Sequence, residues 1–173
     1  MSYYDTYTSP LGEMIMTSNG DALTRLAFNG QKYLREDETA ELTQKELPIF
    51  QETKKWLDLY FAGKHPDFTP ALAPSGTPFR EEVWKILLTV PYGKTITYGE
   101  IAKRMVADHG KEKMSAQAVG GAVGHNPIDL IIPCHRVVGK NGSLTGYAGG
   151  LDKKIDLLSL EKTDMKKLFM PKS

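Results

Sequence analysis

Over residues 1–30 polar and apolar positions alternate in short runs. Tyr3 to Thr8 alternates and is rich in Tyr and Thr, Met14-Ile15-Met16-Thr17 follows, and Leu23 to Phe28 comes third. A period of two with β-branched and aromatic side chains predicts strands. Ser9-Pro10-Leu11-Gly12 marks a turn, and Asn19-Gly20 a hairpin, because both residues tolerate positive φ. The start of the chain therefore reads as a small antiparallel meander. Glu36 to Glu46 is charged and weakly periodic, a loop or an exposed helix start. Phe50, Leu57, Tyr60 and Phe61 then fall on one helical face, and Gly63 ends that helix. Pro66, Pro70, Pro74 and Pro78, with Ser75-Gly76 among them, suit an extended connector better than a proline-rich partner motif. The pattern predicts an α/β domain over residues 1–76 with its connector at 66–78, a second domain over 77–165, and a tail over 166–173.

In the second domain the period lengthens to that of helices. Thr77 can cap a helix with Pro78 at its first position, and Phe79, Val83, Ile86, Leu87 and Val90 form its apolar stripe up to Pro91. Thr97 and Glu100 have the spacing of a capping box, which opens a helix carrying Ile101, Ala102 and Met105 inward. After a turn around His109-Gly110, Ser115 caps the run from Ala116 to Val123. Helix, turn, helix is an arrangement that reads DNA in many proteins. Leu151, Ile155 and Leu158 mark a last helix ending near Glu161, and Lys166 to Ser173 reads as a frayed basic tail.

Charge narrows little. Lys plus Arg is 22 against 21 Asp plus Glu, so a contact to nucleic acid has to rest on a local surface. Nothing at the start resembles a secretion signal, and no apolar run is long enough for a membrane span, so a cytoplasmic protein without membrane contact is expected. The four histidines show no metal-ligand spacing. The lone cysteine, Cys134, excludes an internal disulfide and suits a reducing compartment.

Cys134 is where chemistry is expected. Leu130-Ile131-Ile132 reads as a buried strand that Pro133 breaks, leaving the thiol on a turn beside His135. A neighbouring proton acceptor raises the thiolate fraction of a cysteine. A small buried cysteine is the commoner role, and the dipeptide alone does not exclude it. The helix after Ser115 is also unusual. Ala116, Ala118, Gly120, Gly121, Ala122 and Gly124 leave it almost without side chains, although each helical glycine costs about 1 kcal/mol relative to alanine. Close helix packing explains this, and so does close approach of a DNA backbone.

Three stretches together, Ala118-Val119-Gly120-Gly121-Ala122-Val123-Gly124-His125-Asn126-Pro127, Ile131-Ile132-Pro133-Cys134-His135-Arg136-Val137-Val138 and Gly146-Tyr147-Ala148-Gly149-Gly150-Leu151, resemble the O6-alkylguanine-DNA alkyltransferase family. The resemblance is strong from about Phe79 to Glu161 and general before that. It implies a ribonuclease H-like first domain and a winged helix-turn-helix-like second one. It also implies a monomer that acts once, without a cofactor or metal, on double-stranded DNA carrying O6-alkylguanine, with O4-alkylthymine as a second candidate.

The resemblance assigns roles residue by residue. Cys134 is the nucleophile, and His135 takes its proton, in the family through a bridging water. Glu161 holds the imidazole, although from the residues alone it is an exposed helix-end glutamate. Tyr98 donates to the purine ring, and Tyr147 walls the pocket. Backbone around Cys134 and Val137 reads the exocyclic amine, Asn126 braces the turns, and Lys154 lies near the site. Arg136 is read as an ion-pair partner. Ser115, Gln117, Ala118, Gly120 and Gly121 face the minor groove while the base is flipped out. Two positions depart from the family pattern. Ala148 replaces a frequent serine, leaving only a backbone N–H toward O6, and Gln117 replaces the arginine that fills the gap in the duplex. A silent lesion binder and a turnover Cys-His hydrolase are the alternatives. The first has no need of a thiol, and no oxyanion hole for the second is legible.

Overall fold

The computed structural model describes residues 2–29, 42–109, 115–144, 147 and 150–169. The chain divides into two compact units, Met1–Ser75 with Pro127–Asp129, and Gly76–Asn126 with Leu130–Ser173.

In the first unit β1 (Tyr3–Ser9), β2 (Gly12–Ser18) and β3 (Leu23–Phe28) form the antiparallel meander that the alternation predicts. The register pairs Tyr3 with Ser18 and Met14 with Phe28. Most of Glu36 to Glu46 lies outside the described residues. Its described end holds a strand, β4 (Thr43–Gln44), which runs parallel to β1 and gives the sheet order β3-β2-β1-β4. Two residues are too few to show a period, so the strand is set by pairing. The open edge of β3 is covered twice. Leu23 exchanges backbone hydrogen bonds with Ala71 and Ala73 of the connector, and Leu26 with Pro127 and Asp129, all at 2.8–2.9 Å. Covering an edge removes a template for aggregation. α1 (Pro48–Phe61) buries Ile49, Phe50, Trp56, Leu57 and Tyr60 against the core that Met14, Met16, Leu26 and Phe28 line.

The second unit is mainly helical. α2 (Pro78–Leu87) starts as expected, with Thr77 accepting from the Arg80 N–H. It stops earlier than its stripe suggested, and Val90 is buried beyond its end. β5 (Ile96–Thr97) leads directly into α3 (Tyr98–His109). Both bonds of the capping box form: Thr97 N–H donates to Glu100 Oε1 at 3.2 Å, and Glu100 N–H to Thr97 Oγ1 at 3.0 Å. α4 (Ala116–Gly124) packs on α2 and α3, and the expected turn at Gly110 lies outside the described residues. Two regions correct the sequence reading. β5 pairs in parallel with β6 (Val137–Val138), a short sheet that no periodicity announced. The tail does not fray over its described length. Asp164 caps a single 3-10 turn at Met165–Lys167, and Phe169 exchanges backbone bonds with Gly142 and Leu144. Leu168 packs with Met165 on Val138, Leu144 and Leu158, so apolar burial holds it. Phe169 itself remains 49% exposed.

Candidate active site

Cys134 sits in the second unit and is 5% exposed. The strand expected before it is absent. Leu130 has φ 69°, a left-handed conformation that ends any extended run, and the chain turns there. Pro133, at φ −81° and ψ 68°, then centres an inverse γ-turn in which Cys134 N–H donates to Ile132 O at 2.8 Å. The same carbonyl accepts from Asn126 Nδ2 at 2.8 Å. A single 3-10 turn, Cys134–Arg136, follows and runs into β6. The sulfur is thus placed by a locked proline φ and a doubly held carbonyl.

His135 points into the interior, and its ring and the Glu161 side chain are both fully enclosed. Glu161 is therefore buried rather than an exposed helix end. It is set there by the close of α5 (Leu151–Leu160). Lys162 takes φ 59°, its N–H bonds Ser159 O, and Thr163 N–H bonds Leu158 O, the pattern that stops the helix at Leu160 and leaves Glu161 as its C-cap. His135 Nε2 and Glu161 Oε2 lie 2.5 Å apart. The other oxygen accepts from Arg136 Nε at 2.8 Å and from the Gly93 N–H at 3.3 Å. Arg136 also donates to Val90 O at 2.7 Å and lies over the Tyr92 ring at 5.7 Å. Gly93 has φ 80°, and a Cβ there would stand 3.2 Å from Glu161 O, so the turn beneath the carboxylate needs glycine.

Burial would raise the Glu161 carboxyl, but hydrogen bonds and charge from His135 and Arg136 outweigh it and hold it at about 2. Burial pushes His135 down, more than Glu161 pulls it up. Together these favour an ionised glutamate and a neutral imidazole. A neutral ring whose Nε2–H donates to a carboxylate carries its lone pair on Nδ1. Lys154 is fully buried and donates to Val137 O at 2.5 Å. Burial lowers it to about 8, and the charge of Cys134 acts the other way. That attraction is mutual, so a Lys154 ammonium favours a Cys134 thiolate.

Tyr98 opens α3, and a Cβ on Gly120 of α4 would lie 3.8 Å from its ring. Ser115 accepts from the N–H groups of Gln117 and Ala118, and its side chain and theirs are exposed. Gly121 is exposed too, and a Cβ there would meet nothing within 4 Å. Ala122 departs from the expected bare face, being 2% exposed and turned inward. Tyr147 is half-buried, whereas Ala148, with Gly146 and Gly149, lies outside the described residues. The positioning parts that sequence reasoning missed are Gly93, Tyr92 and the Val90 carbonyl. A glycine two positions after Pro91 is the one local signal of a turn there, and nothing local ties it to Glu161. Among the described residues no group of three His, Cys, Asp or Glu could hold a metal, and no helix is long and apolar enough to cross a membrane.

Two packed helices, α3 and α4, share a unit with an enclosed cysteine whose neighbour in the chain, His135, pairs with a buried glutamate. Residues 78–163 match the model for the 6-O-methylguanine DNA methyltransferase DNA binding domain, and residues 2–74 the model for its ribonuclease-like domain. The chain belongs to the 6-O-methylguanine DNA methyltransferase family. It is 44% identical over 163 residues to the methylated-DNA–protein-cysteine methyltransferase of Mycobacterium tuberculosis, covering 94% of each chain. It is 41% identical over 161 residues to the Haemophilus influenzae protein of that name, covering 92% of this chain and 86% of that one. The crystal structure of Mycobacterium tuberculosis OGT in complex with DNA superposes with a TM-score of 0.81 at 42% identity, covering 92% of each chain.

Proposed function

We propose that this protein repairs O6-alkylguanine in double-stranded DNA by irreversible transfer of the alkyl group to its own Cys134. O4-alkylthymine is the second candidate substrate. The observation that carries the reading is the buried His135–Glu161 pair, whose histidine shares a 3-10 turn with the one cysteine of the chain. Glu161 holds His135 Nε2–H, so Nδ1 takes the thiol proton, directly or through a water. The Cys134 sulfur attacks the alkyl carbon, the carbon–O6 bond breaks, and its electron pair stays on guanine. Tyr98 gives the purine ring a proton, as a phenol of pKa about 10 can at neutral pH. Lys154 favours the thiolate, Tyr147 walls the pocket, and backbone at Val137 orients the base. Asn126 holds the loop that carries the thiol. Ser115, Gln117, Ala118, Gly120 and Gly121 present the bare face of α4 to the minor groove, from which the base is flipped. A thioether on an unactivated alkyl carbon is a poor substrate for water, so each molecule acts once. A nucleophile that must remain a free thiol fits a cytoplasmic location.

The test is the intact mass of the protein after incubation with duplex containing O6-methylguanine. One methyl group on Cys134, with product levelling off at one equivalent per protein, is expected. Cys134→Ser should abolish the gain and keep DNA binding. Unmodified protein that still binds the lesion would mean a silent binder, and product without modification a hydrolase.

A further inference from the structure

The carboxyl end of α4 has a defect that the sequence creates. A helix continues its ladder only while residues four positions on can donate. Pro127 has no N–H, so Val123 O cannot receive its usual bond and takes Asn126 N–H instead, at 3.2 Å. That diverts Asn126 from Ala122 O, which is left without an intrahelical donor inside the protein. The gap is filled from another helix. Trp84 of α2, 2% exposed, donates its indole Nε1–H to Ala122 O at 2.9 Å. The neighbouring Gly121 O takes both the His125 N–H and, at 2.8 Å, His125 Nδ1.

The indole is itself placed from behind. A Cβ on Gly76 would stand 2.5 Å from Trp84 Cη2 and 3.0 Å from Cζ3, so the ring occupies the space that glycine leaves. With the ring buried and its nitrogen engaged, it cannot move aside without losing the bond to Ala122.

We propose that Trp84 is a positioning residue for DNA repair. Its indole N–H takes the carbonyl that Pro127 orphans, and so fixes the angle at which α4 is presented to the duplex. Gly76 is the second half of the device. The proposal rests on α4 being the element that meets DNA. Trp84 then acts on the approach of the duplex and not on the chemistry at Cys134, and the two are separable because a free base needs no helix in a groove.

The experiment measures single-turnover transfer to full-length protein from O6-methylguanine duplex and from the free base O6-benzylguanine. Trp84→Phe keeps an aromatic ring and removes the donor. It should slow the duplex reaction by about three- to tenfold, the effect of losing one buried neutral hydrogen bond, and leave the free-base reaction unchanged. Gly76→Ala should give the same split by displacing the ring. Combining the two should be no worse than either alone, since phenylalanine lacks the indole atoms that the new methyl meets. Equal slowing on both substrates, no slowing on duplex, or additive effects in the double variant would overturn the proposal. Wild-type protein that modifies itself with the free base but not with duplex would overturn the DNA role of α4, and no modification with either would overturn the functional reading.

Discussion

The two units bury polar groups in opposite ways. Apart from the Pro127–Asp129 excursion, the polar side chains that the first encloses among the described residues are hydroxyls, and these bond locally. Thr17 Oγ1 meets Thr24 Oγ1 at 2.7 Å, Ser18 Oγ donates to Ala22 O, and Thr53 Oγ1 donates to Ile49 O one turn back. An ion pair in it, Lys54 with Asp5 at 2.7 Å, keeps partial contact with solvent. The second unit encloses His135, Arg136, Lys154 and Glu161. Replacing a buried ion pair with apolar side chains is often neutral or stabilising, so such a cluster is weak support for stability. The first unit is arranged as stability alone would arrange it. The second encloses ionisable groups, two of which, His135 and Arg136, share the 3-10 turn of the one thiol.

The largest effect that sharpens this contrast is expected from Glu161→Ala. It leaves His135 and Arg136 buried without their carboxylate, a change that typically costs about 3–5 kcal/mol. Transfer should fall by about 10²–10⁴-fold as His135 loses the partner that sets its tautomer. Denaturant unfolding and single-turnover rates check both. A variant that keeps wild-type stability and rate would remove the distinction between the units.

Acid should separate them next. Glu161 stands at about 2 in the folded protein against an ordinary 4.5. As pH falls through that interval the unfolded chain takes up a proton that the folded one excludes. This contribution, on the order of 3 kcal/mol, is present above about pH 5 and is lost toward pH 2. Asp5 in the first unit is also lowered, with burial opposing the bond from Lys54, but it is the more exposed of the two carboxylates. Hydrogen exchange between pH 7 and 3 should therefore open peptides around Cys134 and Glu161 before the β1–β3 meander. The opposite order would show that the buried cluster does not govern acid stability.

The smallest effect runs the other way. Gly121→Ala adds a methyl to open space on a helix, so it should stabilise the protein by about 1 kcal/mol. If the bare face meets a duplex, the same methyl should weaken DNA binding. Thermal unfolding and a binding titration read the two signs. A variant both more stable and equally good at binding would return the glycine to a packing role.

Much was settled by neighbours in sequence. The meander follows from alternation and Asn19-Gly20, α2 from Thr77-Pro78, and α3 from a capping box whose two bonds join residues three apart. Propensity, capping and turn preference act within about one helical turn, so a reader of the chain can apply them directly. The lone Cys134 beside His135 was legible for the same reason. The rest depended on residues that only folding brings together. Glu161 is 26 positions from His135 and 25 from Arg136, and nothing local separates it from other helix-end glutamates. The apolar run at Leu130–Ile132 looks like a strand, yet the turn at Leu130 and the Asn126 amide bend it. Trp84 is 38 positions from Ala122, and its bond answers a vacancy that Pro127 opens elsewhere. Burial of a charge or a carbonyl becomes tolerable only when a distant partner arrives, and that partner is chosen by packing.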